Sequence, residues 1–276
     1  MLPLERQKKI IEMLKRKKVM KMKELTGNLA ISIDTLRRDI QQLLKQGKVK
    51  KIYGGIEYVE PLDLERTMDE RKFSMLPEKQ AIAKLCADYI DDGDCIYIDS
   101  GTTTYQIAKY IKQKKQLTVI TNSIPVVLEL FHSNVEVIMI GGKVRKEEQS
   151  IFSHDYLFNF DSLNIHKAFI GAGGISIQKG VSDYNMEEAI TRKKIIALTN
   201  QIFVTADHTK FNKDALIGIT SLHSVNYIIT DDKLPKKYIR DFKGLKTELL
   251  LAKCEEEQLL SFSLPTNKAL PRLVNE

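Results

Sequence analysis

A chain of 276 residues, at about 150 residues per domain, implies roughly two domains. With 43% hydrophobic and 29% charged residues the composition is globular, which excludes a disordered, collagen-like or mucin-like chain. The net charge of +7 is uneven: residues 1–58 hold 15 Lys and Arg against 6 Asp and Glu, whereas residues 59–276 hold 28 against 30, so the excess lies in the first fifth, as in a module that meets a polyanion.

Leu4, Ile10, Ile11 and Leu14, with basic residues between them, predict an amphipathic helix over Pro3–Lys17. A second short helix fits Lys21–Leu29 with Met22 and Leu25 inward, and Gly27 and Asn28 weaken its last turn. A third follows through Leu44, with Ser32 as N-cap, Ile31 stapled on Leu36 and Asp34 suited to the helix dipole. On a helical wheel Leu36, Ile40, Leu43 and Leu44 share the inner face, while Thr35, Arg38, Gln41 and Gln42 point away and Arg37 lies at the border. Such an outward row suits the DNA major groove: arginine bonds guanine edges bidentately, glutamine pairs with adenine, and threonine touches a thymine methyl or a phosphate. The free N–H groups at the helix start near Ser32 suit a phosphate. Residues 47–58 then alternate apolar with basic residues around Gly54-Gly55, which predicts a two-stranded wing. The candidate DNA contacts are Ser32, Thr35, Arg37, Arg38 and Gln41 on the helix, with Lys48, Lys50, Lys51 and Tyr53 on the wing. Charge alone would equally describe a solvated basic surface; the pattern decides for DNA.

The spacing Arg6-x3-Ile10-x3-Leu14-x17-Ser32-x2-Thr35-Leu36-Arg37-Arg38-Asp39-Ile40 resembles the winged helix-turn-helix signature of DeoR-type bacterial transcriptional regulators. Three helices, the Thr-Leu-Arg-Arg-Asp string and a Gly-Gly wing occur in order. Ala30 in the inter-helix turn departs from the easier glycine or asparagine.

Between Glu60 and Pro77 the chain becomes charged and weakly periodic, which places the boundary there. The predicted organisation is a DNA-binding domain over 1–58, a linker over 59–77, an α/β domain over 78–252 and a C-terminal extension over 253–276. Helices over Lys79–Ile90, Thr103–Lys112, Pro125–Phe131 and near Met186–Asn200 alternate with strands over Cys95–Asp99, Leu117–Thr121, Val135–Ile140, Ala168–Ile170, Ile202–Ala206 and Tyr227–Thr230. That alternation implies a mostly parallel sheet covered on both faces, whose ligands bind at the carboxyl ends of strands. Those ends carry Asp99-Ser100-Gly101-Thr102-Thr103-Thr104, Thr121-Asn122-Ser123, Gly171 with Gly173, and Asp207 with Lys210. The Gly-Thr-Thr-Thr string at a helix start offers donors to an anion, Lys210 a countercharge, and Asn122 with Asp99 or Asp207 bonds to sugar hydroxyls. Any one such loop is ordinary turn chemistry; several together suggest a polar pocket.

The resemblance extends over residues 60–252, where it implies a sensor domain similar in fold to ribose phosphate isomerase that binds a phosphorylated sugar. It implies Gly101–Thr104, Thr121–Ser123 and Lys210 as effector contacts. The isomerase's Asp-Gly-Ala-Asp-Glu and Thr-Arg-Glu-Lys segments correspond here to Ile170-Gly171-Ala172-Gly173-Gly174 and Thr191-Arg192-Lys193-Lys194. The carboxylates that would move a proton between adjacent carbons are missing, and Glu187 or Glu188 falls most of a helical turn away. The leading expectation is a repressor of carbohydrate genes that binds operator DNA, controlled by a sugar phosphate and without turnover. An isomerase-like enzyme with an appended basic module, and a DNA-binding protein without ligand control, are the alternatives.

One short helix reads few base pairs, so a homo-oligomer, dimer or tetramer, is expected. The five histidines, His132, His154, His166, His208 and His223, lack ligand spacing, so neither a metal nor a cofactor is expected, although His208 adjoins the pocket. Cys86, Cys95 and Cys254 lack any Cys-x-x-Cys spacing and read as reduced thiols of a cytoplasmic protein, with Cys95 in the core. No signal peptide and no apolar run of ~18 residues is evident, so no membrane association is expected. Lys112–Lys115 reads as a solvated helix end, Glu255–Leu260 as a short helix, and Pro265 and Pro271 as part of a polar tail.

Overall fold

The computed structural model describes residues 2–45, 48–58, 67–152 and 163–254. The first unit runs α1 (Pro3–Lys17), β1 (Val19–Met20), α2 (Met22–Leu29), α3 (Ile33–Lys45), β2 (Val49–Ile52) and β3 (Gly55–Tyr58). Pro3 suits the first helical turn, where its missing N–H costs nothing. Ile10, Leu14, Leu25, Leu36, Ile40, Leu43, Val49 and Ile56 close into one core. Full burial of each such side chain stabilises by about 1.5–3 kcal/mol. Leu4, one of the apolar positions that predicted this helix, is 69% exposed, because it lies six residues before Ile10, the first residue of α1 to join that core.

The expected two-stranded wing is a three-stranded sheet in the order β1-β3-β2, since Val19–Met20 pairs antiparallel with β3. Its two glycines serve different ends. Gly54 turns the chain with Tyr53 at φ +89°, whereas Gly55 lies in β3, where an added Cβ would sit 2.7 Å from the Met20 carbonyl oxygen. Ala30 occupies the left-handed region at φ +51° as it closes α2, the strain its turn position foretells.

The second unit opens with α4 (Met68–Lys72), α5 (Leu76–Asp88), β4 (Cys95–Ile98), α6 (Thr104–Ile107), β5 (Thr118–Thr121), α7 (Ile124–Leu130), β6 (Glu136–Met139), β7 (Lys143–Arg145) and β8 (Ser150–Phe152). It continues through β9 (Ile165–Gly171), β10 (Gly174–Ser176), β11 (Gly180–Asp183), α8 (Met186–Ala197), β12 (Thr199–Thr205), β13 (Ile217–Thr220), β14 (Tyr227–Asp231), α9 (Lys236–Asp241) and β15 (Glu248–Ala252). Seven strands form one parallel sheet in the order β15-β14-β12-β9-β4-β5-β6. Both faces are buried: Ile96 and Ile98 of β4 join one apolar cluster, and Tyr97 joins another. Phe169, Phe203 and Tyr227 stack across three neighbouring strands at centroid distances of 4.9 and 4.7 Å. The chain steps outward from β4 to β6 on one side and from β9 to β15 on the other. A topological switch point therefore lies between β4 and β9, where open α/β sheets form a crevice.

Part of the expected linker is ordered: Thr67 and Glu70 form a capping box that starts α4, and α5 already begins at Leu76. Helix α6 is only four residues long rather than the expected 103–112. The β7–β8 hairpin, the antiparallel sheet β10-β11-β13 and the edge strand β15 had no sequence prediction. The expected linker over 59–66, Gly47 of the wing, His154, the helix over Glu255–Leu260 and the tail with Pro265 and Pro271 lie outside the described residues.

Candidate functional site

Helix α3 is fixed from behind by apolar and polar contacts. Besides its leucines, it buries Asp39, whose carboxylate accepts from Arg6 Nε at 2.5 Å, Arg6 Nη2 at 3.1 Å and Gln7 Nε2 at 3.3 Å. Gln42 accepts from the Gln7 amide, so this outward residue is tied to α1. Ser32 Oγ accepts from Thr35 N at 3.2 Å and lies 2.9 Å from Thr35 Oγ1, completing the expected cap. Arg37 pairs with Asp34 at 3.2 Å on the exposed surface. Among the described residues Arg38 and Gln41 are exposed without a partner. On the wing Tyr53 stands fully exposed at the tip and Lys48 and Lys51 face solvent, whereas Lys50 lies 3.0 Å from Glu57 and shares its charge.

The other candidate residues gather at the carboxyl ends of four contiguous strands, β12, β9, β4 and β5. Asp99, directly after β4, is 1% exposed, and its Oδ2 accepts from Gly171 N at 3.0 Å and Arg192 Nε at 2.6 Å. It is thus engaged across the switch point rather than open to a sugar hydroxyl, a correction to the sequence expectation. Asn122 holds the loop after β4: its Oδ1 accepts from Ser100 N and from Tyr97 Oη, both at 3.0 Å, and its Nδ2 lies 3.4 Å from Ser100 Oγ. Thr121 Oγ1 donates to Ile98 O at 2.6 Å, Ser123 Oγ caps α7, and Thr104 Oγ1 donates to Asp99 O at 2.7 Å. The Thr121 and Thr104 hydroxyls, expected to meet an effector, instead donate to backbone carbonyls, whereas Ser123 Oγ serves its cap as an acceptor from Val126 N.

What stays open is the loop they shape. Among the described residues the N–H groups of Gly101, Thr102, Thr103 and Thr104, and the hydroxyls of Thr102 and Thr103, have no partner within the chain. Successive free N–H groups at a strand end form an anion-binding concavity.

Asp207 Oδ1 accepts from Thr209 N at 3.0 Å and from its hydroxyl, so Asp207 shapes the turn that carries Lys210. Gly173 meets a packing demand, because an added Cβ would sit 2.9 Å from the Tyr184 ring. His208 Nδ1 lies 2.7 Å from Asp231 Oδ1, which removes that nitrogen from the pocket. Lys112 pairs with Glu129 at 2.6 Å and Lys114 Nζ donates to the Ile90 carbonyl, so the expected solvated lysine run is partly engaged. Cys95 is only half-buried, near the start of its strand.

Two lysine and arginine positions were invisible as site residues in the sequence. Arg192, 4% exposed, reaches Asp99, Asp183 and Glu188. Glu188 Oε1 also accepts from Arg145 Nη1 and Ser150 Oγ, each at 2.9 Å. The i,i+4 spacing of Glu188 and Arg192 was the available signal, and it reads equally as a solvated pair. The second is Lys79, 4% exposed, whose Nζ donates to Arg71 O at 2.7 Å and Ser74 O at 2.6 Å. Burial pushes its ammonium down to about 8; Asp207 opposes this, and the charges of Arg71 and Lys210 add to it. Lys79 and Lys210 therefore share a charged neighbourhood with the end of β12.

A groove of about 520 Å³ lies elsewhere, between α4, α6 and α7 beside Lys72, Tyr105, Leu128 and Gln149. Its Tyr105 hydroxyl already donates to Glu129 at 2.9 Å, whereas the strand-end loop keeps its N–H donors free. One group among the described residues, Asp231, Asp232 and Cys254, has the spacing for a metal. Burial and Asp232 push the Cys254 thiol up to about 11, against the thiolate a metal needs, and Asp231 is engaged by His208.

Comparison with known proteins gives two family matches, a DeoR-like helix-turn-helix domain over residues 6–61 and a DeoR C-terminal sensor domain over residues 74–232. The chain is 33% identical to YgbI of Escherichia coli strain K12, described as an uncharacterized HTH-type transcriptional regulator, over 92% of this chain and all of that one. It is 31% identical to the HTH-type transcriptional regulator IolR of Bacillus subtilis strain 168, over 78% of this chain and 86% of that one. A solved D-ribose-5-phosphate isomerase bound to phospho-erythronic acid aligns at 15% identity and a TM-score of 0.37, over 48% of this chain and 52% of that one, a likeness too slight to argue from.

Proposed function

The chain belongs to the DeoR family of helix-turn-helix transcriptional regulators, and from that membership we propose that it represses carbohydrate-metabolism genes under the control of a phosphorylated sugar. It is a regulator and not an enzyme. Proton transfer between sugar carbons needs a free carboxylate, and of the two substitutes the sequence offers, Glu187 and Glu188, the second is held by Arg192, Arg145 and Ser150.

The observation that carries the effector reading is the unpartnered run of N–H groups from Gly101 to Thr104 at the switch point. In this reading the phosphate binds those N–H groups with the hydroxyls of Thr102 and Thr103, and Lys210 and Lys79 supply countercharge. Asp99, Ser100, Thr104, Thr121, Asn122, Ser123, Gly171, Gly173 and Asp207 build the walls rather than hold the anion. On DNA, Thr35, Arg38 and Gln41 read base edges, Ser32 and Arg37 meet the adjoining phosphates, and Lys48, Lys50, Lys51 and Tyr53 follow the sugar-phosphate backbone. The protein acts in the cytoplasm as a homo-oligomer, since paired recognition helices are needed to read an operator. Domain limits of 1–58 and 78–252, the second extended back to take in α4 and the start of α5, fit this division of labour.

Control requires that the effector bind the DNA-competent and DNA-incompetent arrangements with different affinity. A panel of sugar phosphates tested by thermal shift and by operator binding checks the reading. At least one should raise the melting temperature and change operator affinity together. If none does either, the effector assignment falls.

A further inference from the structure

Helix α4 is the first described element after the DNA-binding unit, and the sensor grips it from two sides. On one side is the turn of the β7–β8 hairpin. Met68 N donates to Glu147 O at 2.8 Å, Arg71 pairs with Glu148, and Gln149 Nε2 donates to Asp69 Oδ1 at 3.1 Å. That turn is in turn pinned to the strand-end loops: Ile124 N donates to Gln149 O at 2.9 Å, Ile151 N donates to Asn122 O at 2.8 Å, and Ser150 Oγ reaches Glu188. Asn122 is the residue whose side chain holds Ser100, next to the free N–H groups. On the other side is Lys79, whose ammonium caps the carbonyls of Arg71 and Ser74 at the end of α4.

We propose that α4 is the output latch of the sensor: an anion in the crevice draws the Lys79 ammonium off the carbonyls of Arg71 and Ser74, loosens α4 on the hairpin turn, and so alters DNA binding. This rests on the reading of the crevice as an anion site. The physical cause is competition for one cation. Lys79 has three donors, two of them engaged by backbone carbonyls of α4 and its following turn, and a doubly charged phosphate is a stronger acceptor than either carbonyl. Once the carbonyls lose that donor, α4, only five residues long, is held less firmly and leans on the hairpin contacts. The hairpin contacts then set how much of the change is transmitted, which makes Glu148 and Gln149 coupling residues that do not touch the ligand.

The test uses the full chain with two probes, inorganic phosphate and ribose 5-phosphate, and an operator fragment selected in vitro with the same protein. Thermal shift reports occupancy, hydrogen exchange of residues 67–75 reports the latch, and the ratio of operator affinities with and without probe reports coupling. A probe should stabilise the protein, speed exchange over 67–75 at least five-fold, and change operator affinity. Glu148→Gln and Gln149→Ala should keep the thermal shift while the affinity ratio falls at least five-fold toward unity. If the probe stabilises the protein but leaves exchange over 67–75 unchanged, or if both variants keep the full ratio, the latch is refuted and the sensor reading stands. If neither probe nor any other member of the sugar-phosphate panel stabilises the wild-type protein, the sensor reading fails and takes the latch with it.

Discussion

Replacing Arg192 with Met keeps much of the side-chain length and removes the cation that three carboxylates share. Asp99, Asp183 and Glu188 lie 1–6% exposed by side chain, so none can recover hydration in place of the lost guanidinium. Removing one partner from a buried pair costs about 3–5 kcal/mol because the remaining charge is left uncompensated. Arg145 still balances Glu188 at 2.9 Å, which keeps the expected loss near the middle of that range, at about 4 kcal/mol. For a domain of this size about 1 kcal/mol corresponds to roughly 2–4 °C, so the melting temperature should fall by about 8–16 °C by calorimetry at neutral pH. A fall of less than about 3 °C would refute the claim that Arg192 neutralises the switch point.

The folded state holds Lys79 at about 8 against 10.5 for the free side chain, so between these values the unfolded chain carries more of this proton and stability climbs with pH. That contribution reaches at most about 3 kcal/mol; Lys79→Met should flatten the rise in denaturant titrations across pH 8–10.5, and an unchanged slope counts against it. Arg38→Ala should weaken specific DNA binding by on the order of 1–3 kcal/mol and relax one base position, with fluorescence anisotropy on specific and random duplexes as the check. Lys51→Ala should weaken all sequences alike and reduce the salt slope by about one, and Lys50→Ala by less, because Glu57 already shares its charge. Ala30→Gly should stabilise the first unit by a few tenths to about 1 kcal/mol, since relief at φ +51° exceeds the added freedom of the unfolded glycine; destabilisation would mean the turn is not strained.

Local signals carried the first unit. Pro3 fixed where α1 starts, and Ser32 with Ile31 and Leu36 fixed where α3 starts, because caps and staples are written within a few residues of one another. The parallel sheet was legible from short apolar runs such as Cys95–Ile98 and Thr118–Thr121, each bounded by polar turns. Strand β1 was not, because two residues have no periodicity and pair with a segment nearly forty positions away. The hairpin β7–β8 and the sheet β10-β11-β13 are likewise defined by distant partners. At the candidate site the sequence located the loops but not the division of labour within them. Thr104 and Thr121 read as donors to a ligand, and only their bonds to Asp99 O and Ile98 O reveal them as framework. Arg192 sits in a Thr-Arg-Lys-Lys string that looks solvated, and nothing local announces its burial.

The backward-facing Asp39 separates two tasks that a short helix would otherwise have to combine. Its bonds to Arg6 and Gln7 set the pitch and depth of α3 from the inner side, and Arg38 and Gln41 on the outer side hold up no part of the scaffold. New promoter preferences can therefore be acquired by exchanging those outer residues one at a time, with little penalty to folding. A collection of variants randomised at positions 38 and 41 should consist mostly of well-folded proteins that differ in the sites they choose.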